Sequence, residues 1–140
     1  MLAITRHHDF SAGHRVLNHE GSCKNLHGHN YRVHFTCRAL HGEVDSLGRV
    51  VDFAVIKARL CAWIDVSWDH RFLMFDQDPA LEALRAIDDT VVALPFNPTA
   101  EALAVYLLGT IGPSVMAGTG VTLVAVRLEE TRRCSAVCEL

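Results

Sequence analysis

Apolar positions alternate near both ends of the chain and recur at helical spacing between them. Phe10, Ala12 and His14 share one face of an extended segment from Leu2 to Val16, with Gly13 marking a bend or bulge. After a loop containing Asn18, Gly21 and Ser22, the run from His29 to Cys37 sets Tyr31, Val33, Phe35 and Cys37 against more polar neighbours. That pattern predicts a second strand with one buried face. Turn residues Asp45, Ser46 and Gly48 lead into a short extended stretch at Val50, Val51, Asp52 and Phe53. Ile56, Leu60, Trp63 and Ile64 then keep helical spacing, and Asp52 is placed to cap the first turn.

A second helix is expected from Asn97, with Asn97 as N-cap, Pro98 at the first helical position and Glu101 completing a capping box. It runs through Leu103, Tyr106 and Leu107 and ends between Gly109 and Pro113. Val121 to Leu128 reads as a strand, and a short last one includes Ala136 and Val137. Residues 75–96 form an irregular insert with Pro79, a short helical pattern from Leu81 to Leu84 and an extended stretch from Thr90 to Leu94. The expected order is therefore two strands, a helix, the insert, a second helix and two strands.

The chain has 140 residues, 50% of them apolar and 21% charged, which suits one domain spanning 1–140 and leaves no room for a second. A net charge of −3 and a pI near 6.3 argue against a protein built to bind nucleic acid, although a local basic pocket for a phosphate ester fits. The N-terminus lacks a secretory pattern, and no apolar run reaches the roughly 20 residues that span a bilayer. A soluble cytoplasmic protein without membrane contact is the expectation. Five cysteines at irregular spacing point to reduced thiols rather than a disulfide framework.

The sharpest chemical feature is His27-Gly28-His29, because alternate positions on an extended backbone project to one side and can reach one metal ion. Among nine histidines, such a pair also has an ordinary core or surface reading. A third ligand decides between them, and His14 on the first strand is the best candidate, as catalytic zinc commonly keeps three protein ligands and one open position. Cys23, four residues before His27, is open to three readings: ligand, thiolate base beside the metal, or buried spectator. Cys37 and Cys61 fall in apolar patterns and read as core. Asp69 and His70 offer a carboxylate-imidazole pair for proton transfer, with a helix-end aspartate as the structural alternative. Glu129 and Glu130 place carboxylates at a strand end, where one can accept two parallel N–H donors from a heterocycle edge or simply remain solvated.

Together these segments resemble the 6-pyruvoyl-tetrahydropterin synthase superfamily over nearly the whole chain. The matching stretches, in order, are Phe10 to Arg15, Cys23 to Tyr31, Gly42 to Asp45, Val51 to Phe53, Asp69-His70, Pro98 to Glu101 and Glu130-Thr131. Three residues separate Cys23 from His27, as in the bacterial 6-carboxytetrahydropterin synthase branch, which Val51-Asp52-Phe53 and the segment Cys134 to Cys138 also resemble. Met74 stands where the family often carries asparagine, and the 75–96 insert is longer than in compact members.

The resemblance implies an α+β T-fold, a ββααββ protomer with a four-stranded antiparallel sheet and two helices that assembles into a multi-subunit barrel, a homo-oligomer with a hexamer favoured. It implies Zn2+ held by His14, His27 and His29, catalysis by Cys23, Asp69 and His70, and substrate contacts from Glu130, Thr99 and Glu101. The implied reaction converts the small-molecule substrate 7,8-dihydroneopterin triphosphate to 6-carboxy-5,6,7,8-tetrahydropterin, acetaldehyde and triphosphate, a step toward queuosine and related deazapurines. The alternatives are a 6-pyruvoyl-tetrahydropterin synthase or another pterin side-chain lyase, and a non-catalytic zinc or pterin-binding module.

Overall fold

The computed structural model describes residues 1–140. Its centre is a long antiparallel pair, β1 (Ile4–His14) and β2 (His27–Ala39), in which Phe10 faces Tyr31, Ala12 faces His29 and His14 faces His27. β5 (Val121–Glu129) lies antiparallel to β2, and β6 (Ser135–Glu139) antiparallel to β5. These four strands are the antiparallel sheet that the resemblance implies.

Two further strands correct that count. β3 (Arg71–Phe75) runs parallel to β1, and β4 (Val92–Leu94) runs parallel to β3, giving a six-stranded mixed sheet ordered β4-β3-β1-β2-β5-β6. Leu73 and Met74 are adjacent yet both fully buried, so this strand is covered on both faces and shows no alternation. Met74 packs with Leu81 and Val91 in a small core of the insert's own, joined by α3 (Leu81–Ile87). The apolar residue at position 74 and the long insert thus belong together.

One face of the sheet is closed by two helical stretches. The first is α1 (Phe53–Ile56), a π-helical turn at Lys57–Cys61 and α2 (Ala62–Ser67); the Asp52 carboxylate accepts the Ala54 N–H at 2.8 Å and caps it as expected. The second is α4 (Ala100–Tyr106), a π-helical turn at Leu107–Ile111 and α5 (Gly112–Met116). It passes through Pro113 instead of stopping before it. Only Gly112 separates the π turn from Pro113, which takes a first-turn position of α5, where a missing N–H is tolerated. Ile56, Leu60, Ile64, Leu103 and Leu107 meet Tyr31, Val33, Phe35, Val126 and Leu128 in the main core.

The start of α4 also departs from expectation. Thr99 is the N-cap, its hydroxyl accepting the Ala102 N–H at 3.2 Å, so Glu101 falls one residue short of the capping-box position. Asn97 is engaged elsewhere: its side chain accepts from Leu17 N–H at 2.8 Å and donates to the Leu17 carbonyl at 2.9 Å. Gly13 is not a bulge either. It pairs in register with Gly28 and Phe72, and a Cβ there would lie 2.3 Å from the Phe72 ring. The bulge falls instead between Thr36 and Cys37.

Burial pushes the Cys37 thiol up to about 11 and also raises Cys61, as suits two core thiols. No helix is long and apolar enough to cross a membrane.

Candidate metal centre and adjoining cleft

Antiparallel pairing puts His14 opposite His27 and sets His29 two residues further along the same face of β2. The three rings cluster with centroids 4.6 Å apart for His14 and His27 and 5.0 Å for the other two pairs. Glu130, one residue past the end of β5, completes a group whose ligand atoms all lie within 4.8 Å of one another. This convergence decides the ambiguity of the H-x-H pair in favour of a group able to hold a metal ion.

Backbone carbonyls orient two of the rings. His14 Nδ1–H donates to the Pro98 carbonyl at 2.7 Å, and His27 Nδ1–H donates to the Asn25 carbonyl at 2.6 Å. Each leaves Nε2 as the free lone pair, the tautomer a metal-binding imidazole needs. His14 Nε2 and His29 Nε2 are buried and make no hydrogen bond. Such orphaned nitrogens are costly unless something binds them.

The charges fit the same picture. Burial pushes the His29 imidazole down, only partly offset by Glu130. Neutral imidazoles and an ionised carboxylate are the forms that coordinate cations. Tyr31, stacked on Phe10 with ring centroids 5.0 Å apart, closes the apolar side, and burial pushes its phenol strongly upward.

The other candidates lie around this group. Cys23 sits half-buried in a 3₁₀ turn (Ser22–Lys24), outside the four-residue cluster, with its carbonyl accepting the Val16 N–H at 2.8 Å. Thr99 caps α4, and Glu101 is exposed on its first turn. The chief contribution of the Pro98 to Glu101 segment to the cluster is the Pro98 carbonyl, which residue-type reasoning missed because every residue carries one.

Asp69 and His70 do form a pair, with His70 Nδ1 3.0 Å from Asp69 Oδ1. Burial works to raise the Asp69 carboxyl, but the Ser11 amide at 2.9 Å and His70 outweigh it and hold it below the usual range. His70 has φ +59°, a left-handed conformation that costs most side chains on the order of 1–3 kcal/mol, and its side chain is 82% exposed. It opens with Ser11, Gly13, Asn30 and Phe72 onto a cleft that His27 and His29 also line. A neighbouring open cavity of about 780 Å³ brings Asp69, His70, Arg32 and Arg132 together with His29 and Glu130.

Arg15, next to His14, grips buried Asp78 through two guanidinium contacts, one of them Nε to Oδ2 at 2.7 Å. This pair ties the insert to the end of β1, and sequence spacing carried no sign of it.

Residues 3–140 match the 6-pyruvoyl tetrahydropterin synthase family. The 6-carboxy-5,6,7,8-tetrahydropterin synthase of Rickettsia typhi is 33% identical over 136 residues, covering 96% of this chain and 97% of that one. A probable 6-carboxy-5,6,7,8-tetrahydropterin synthase of Halobacterium salinarum is 40% identical over 99 residues, covering 69% of this chain and 61% of that one. Among solved structures, an uncharacterized protein from Wolinella succinogenes superposes with a TM-score of 0.86 at 24% identity, over 99% of this chain and 97% of that one. The Caenorhabditis elegans 6-pyruvoyl tetrahydropterin synthase superposes with a TM-score of 0.73 at 27% identity, over 99% and 95% of the two chains.

Proposed function

From the premise that the chain belongs to the 6-pyruvoyl tetrahydropterin synthase family, we propose that it is a zinc-dependent 6-carboxytetrahydropterin synthase. It is a pterin side-chain lyase acting on 7,8-dihydroneopterin triphosphate and yielding 6-carboxy-5,6,7,8-tetrahydropterin, acetaldehyde and triphosphate. The observation that carries this reading is the convergence of His14, His27 and His29 beside Glu130 in a chain similar over nearly its full length to enzymes of that name.

His14, His27 and His29 would hold the zinc, and His14 and His27 keep Nε2 free for it because their Nδ1 atoms are committed to carbonyls. The metal supplies Lewis acidity toward side-chain oxygens of the substrate. Cys23 as thiolate removes a side-chain proton, and His70, oriented by Asp69, exchanges a proton on the opposite side. Glu130 accepts the paired N–H groups of the pterin and so fixes the side chain's position, with Thr99 and Glu101 at the pocket's border.

The open cavity that brings Asp69 and His70 to His29 and Glu130 leaves His70 82% exposed, which favours a site completed between subunits. The open strands β4 and β6 at the sheet edges suit closure into a homo-oligomeric barrel, a hexamer being the favoured form.

The test is to assay metal and turnover separately. Cys23→Ala keeps zinc and loses turnover, whereas His27→Ala and His29→Ala lose zinc. Undiminished zinc in both histidine variants contradicts the ligand assignment, and an active Cys23→Ala removes the thiol from the mechanism.

A further inference from the structure

We propose that Glu130 is the fourth ligand of the metal in the substrate-free protein and that it leaves the metal when a pterin binds. The inference rests on the reading of His14, His27 and His29 as the metal site. It extends that reading by giving one carboxylate two exclusive positions.

Glu130 Oε1 lies 2.8 Å from His29 Nε2 and 3.4 Å from His14 Nε2. If the rings and the carboxylate met for each other's sake, an N–H would point at an oxygen. It does not: both Nε2 atoms are buried and neither contact has hydrogen-bond geometry. Three imidazoles and a carboxylate instead offer ligand atoms that all lie within 4.8 Å of one another. Four tetrahedral ligands at zinc's usual bond lengths stand about 3.4 Å apart, so the carboxylate already occupies the place of a fourth donor.

Glu130 is also built to move. Its backbone is fixed at the β5–β6 connection, where Glu130 N–H donates to the Cys134 carbonyl at 3.1 Å. Its side chain is 24% exposed, at the boundary between the buried rings and the open cavity. Side-chain rotation alone can carry the carboxylate from one to the other.

The two positions exclude each other. A carboxylate turned into the cavity to receive two parallel N–H donors from a pterin edge directs both oxygens away from the ring nitrogens, which draws it off the metal. With the carboxylate withdrawn, the fourth position would be open to a side-chain oxygen of the substrate. The carboxylate stays ionised throughout, and no proton is gained or lost in the exchange. The device keeps the metal closed to water-derived ligands until the ring has docked.

The experiment loads the metal-free protein with Co2+ and follows its visible absorption, using wild type, Glu130→Gln and His29→Ala. Glu130→Gln, which keeps the side chain's shape, is expected to bind Co2+ at least roughly ten-fold more weakly than wild type and with an altered spectrum. 6-Methylpterin, which has the N–H edge but no side-chain hydroxyl, is then added to loaded wild type. The cobalt spectrum is expected to change in wild type and to stay constant in Glu130→Gln. Equal affinity and equal spectra for wild type and Glu130→Gln overturn the proposal, as does a wild-type spectrum indifferent to bound 6-methylpterin. Full Co2+ binding by His29→Ala marks failure of the underlying metal-site reading, a result distinct from either.

Discussion

His14 donates a hydrogen bond of 2.7 Å to the carbonyl oxygen of Pro98, a residue 84 positions further along the chain. The bond fixes which ring nitrogen of His14 is free for the metal group, so the entry to α4 governs a side chain on β1. Asn97 holds that entry in place through its reciprocal bonds to Leu17. Asn97→Ala is expected to lower stability by about 1–2 kcal/mol and metal affinity by roughly ten-fold, read by thermal unfolding and by competition with a chelator. Unchanged affinity in a destabilised variant would separate the loop's structural role from any influence on His14.

A second expectation concerns Gly13, which faces the Phe72 ring where β3 joins β1. With a Cβ only 2.3 Å from that ring, Gly13→Ala forces the ring or the strand to shift and is expected to cost about 1–3 kcal/mol. Phe72→Leu in the same chain should recover part of the loss. A double-mutant cycle in denaturant measures it, and strictly additive effects would mean the ring does not feel the new methyl group.

The pH dependence of stability follows from Asp78. Its hydrogen bonds to Arg15 hold the carboxyl below the ordinary range, outweighing burial. A carboxyl depressed in the folded state contributes stability above its unfolded value, near 3.9, and loses it as pH falls through the folded value. Asp78→Asn should therefore lower stability at pH 7, by on the order of 3 kcal/mol, and flatten the decline below about pH 4. Urea unfolding across pH 2 to 7 checks both parts.

Assembly is the fourth expectation. Open strands β4 and β6 and a polar sheet face bearing Asp9, Arg32 and His70 suit neighbouring copies of the chain. Light scattering should report a multiple of the 15.5 kDa chain under assay conditions. A fully active monomer would contradict a site completed between subunits.

Much of this molecule is legible in its amino-acid pattern. Alternation around Phe10, Tyr31 and Val126 marks strands with one buried face, and shared parity places His14 beside His27 and His29. What stays hidden does so for physical reasons. Leu73 and Met74 are both buried, so β3 shows no alternation, whereas β4 lies within the extended stretch read from Thr90 to Leu94. The N-cap lies at Thr99 rather than Asn97 because tertiary bonds to Leu17 claim the asparagine. The Pro98 and Asn25 carbonyls that orient the histidines carry no residue-type signal at all. Asp69 and His70 are recognisable as a pair, but where they open depends on the turn that follows α2, where His70 adopts its left-handed backbone.

Mass spectrometry of the products formed when the zinc-loaded enzyme is incubated with 7,8-dihydroneopterin triphosphate bears on the proposed reaction more directly than any other experiment. The expected outcome is 6-carboxy-5,6,7,8-tetrahydropterin together with acetaldehyde, and no product from Cys23→Ala. Formation of the 6-pyruvoyl product without acetaldehyde would contradict the proposed reaction while leaving the chain in its family, and no conversion of this substrate by the loaded enzyme would contradict the lyase assignment itself.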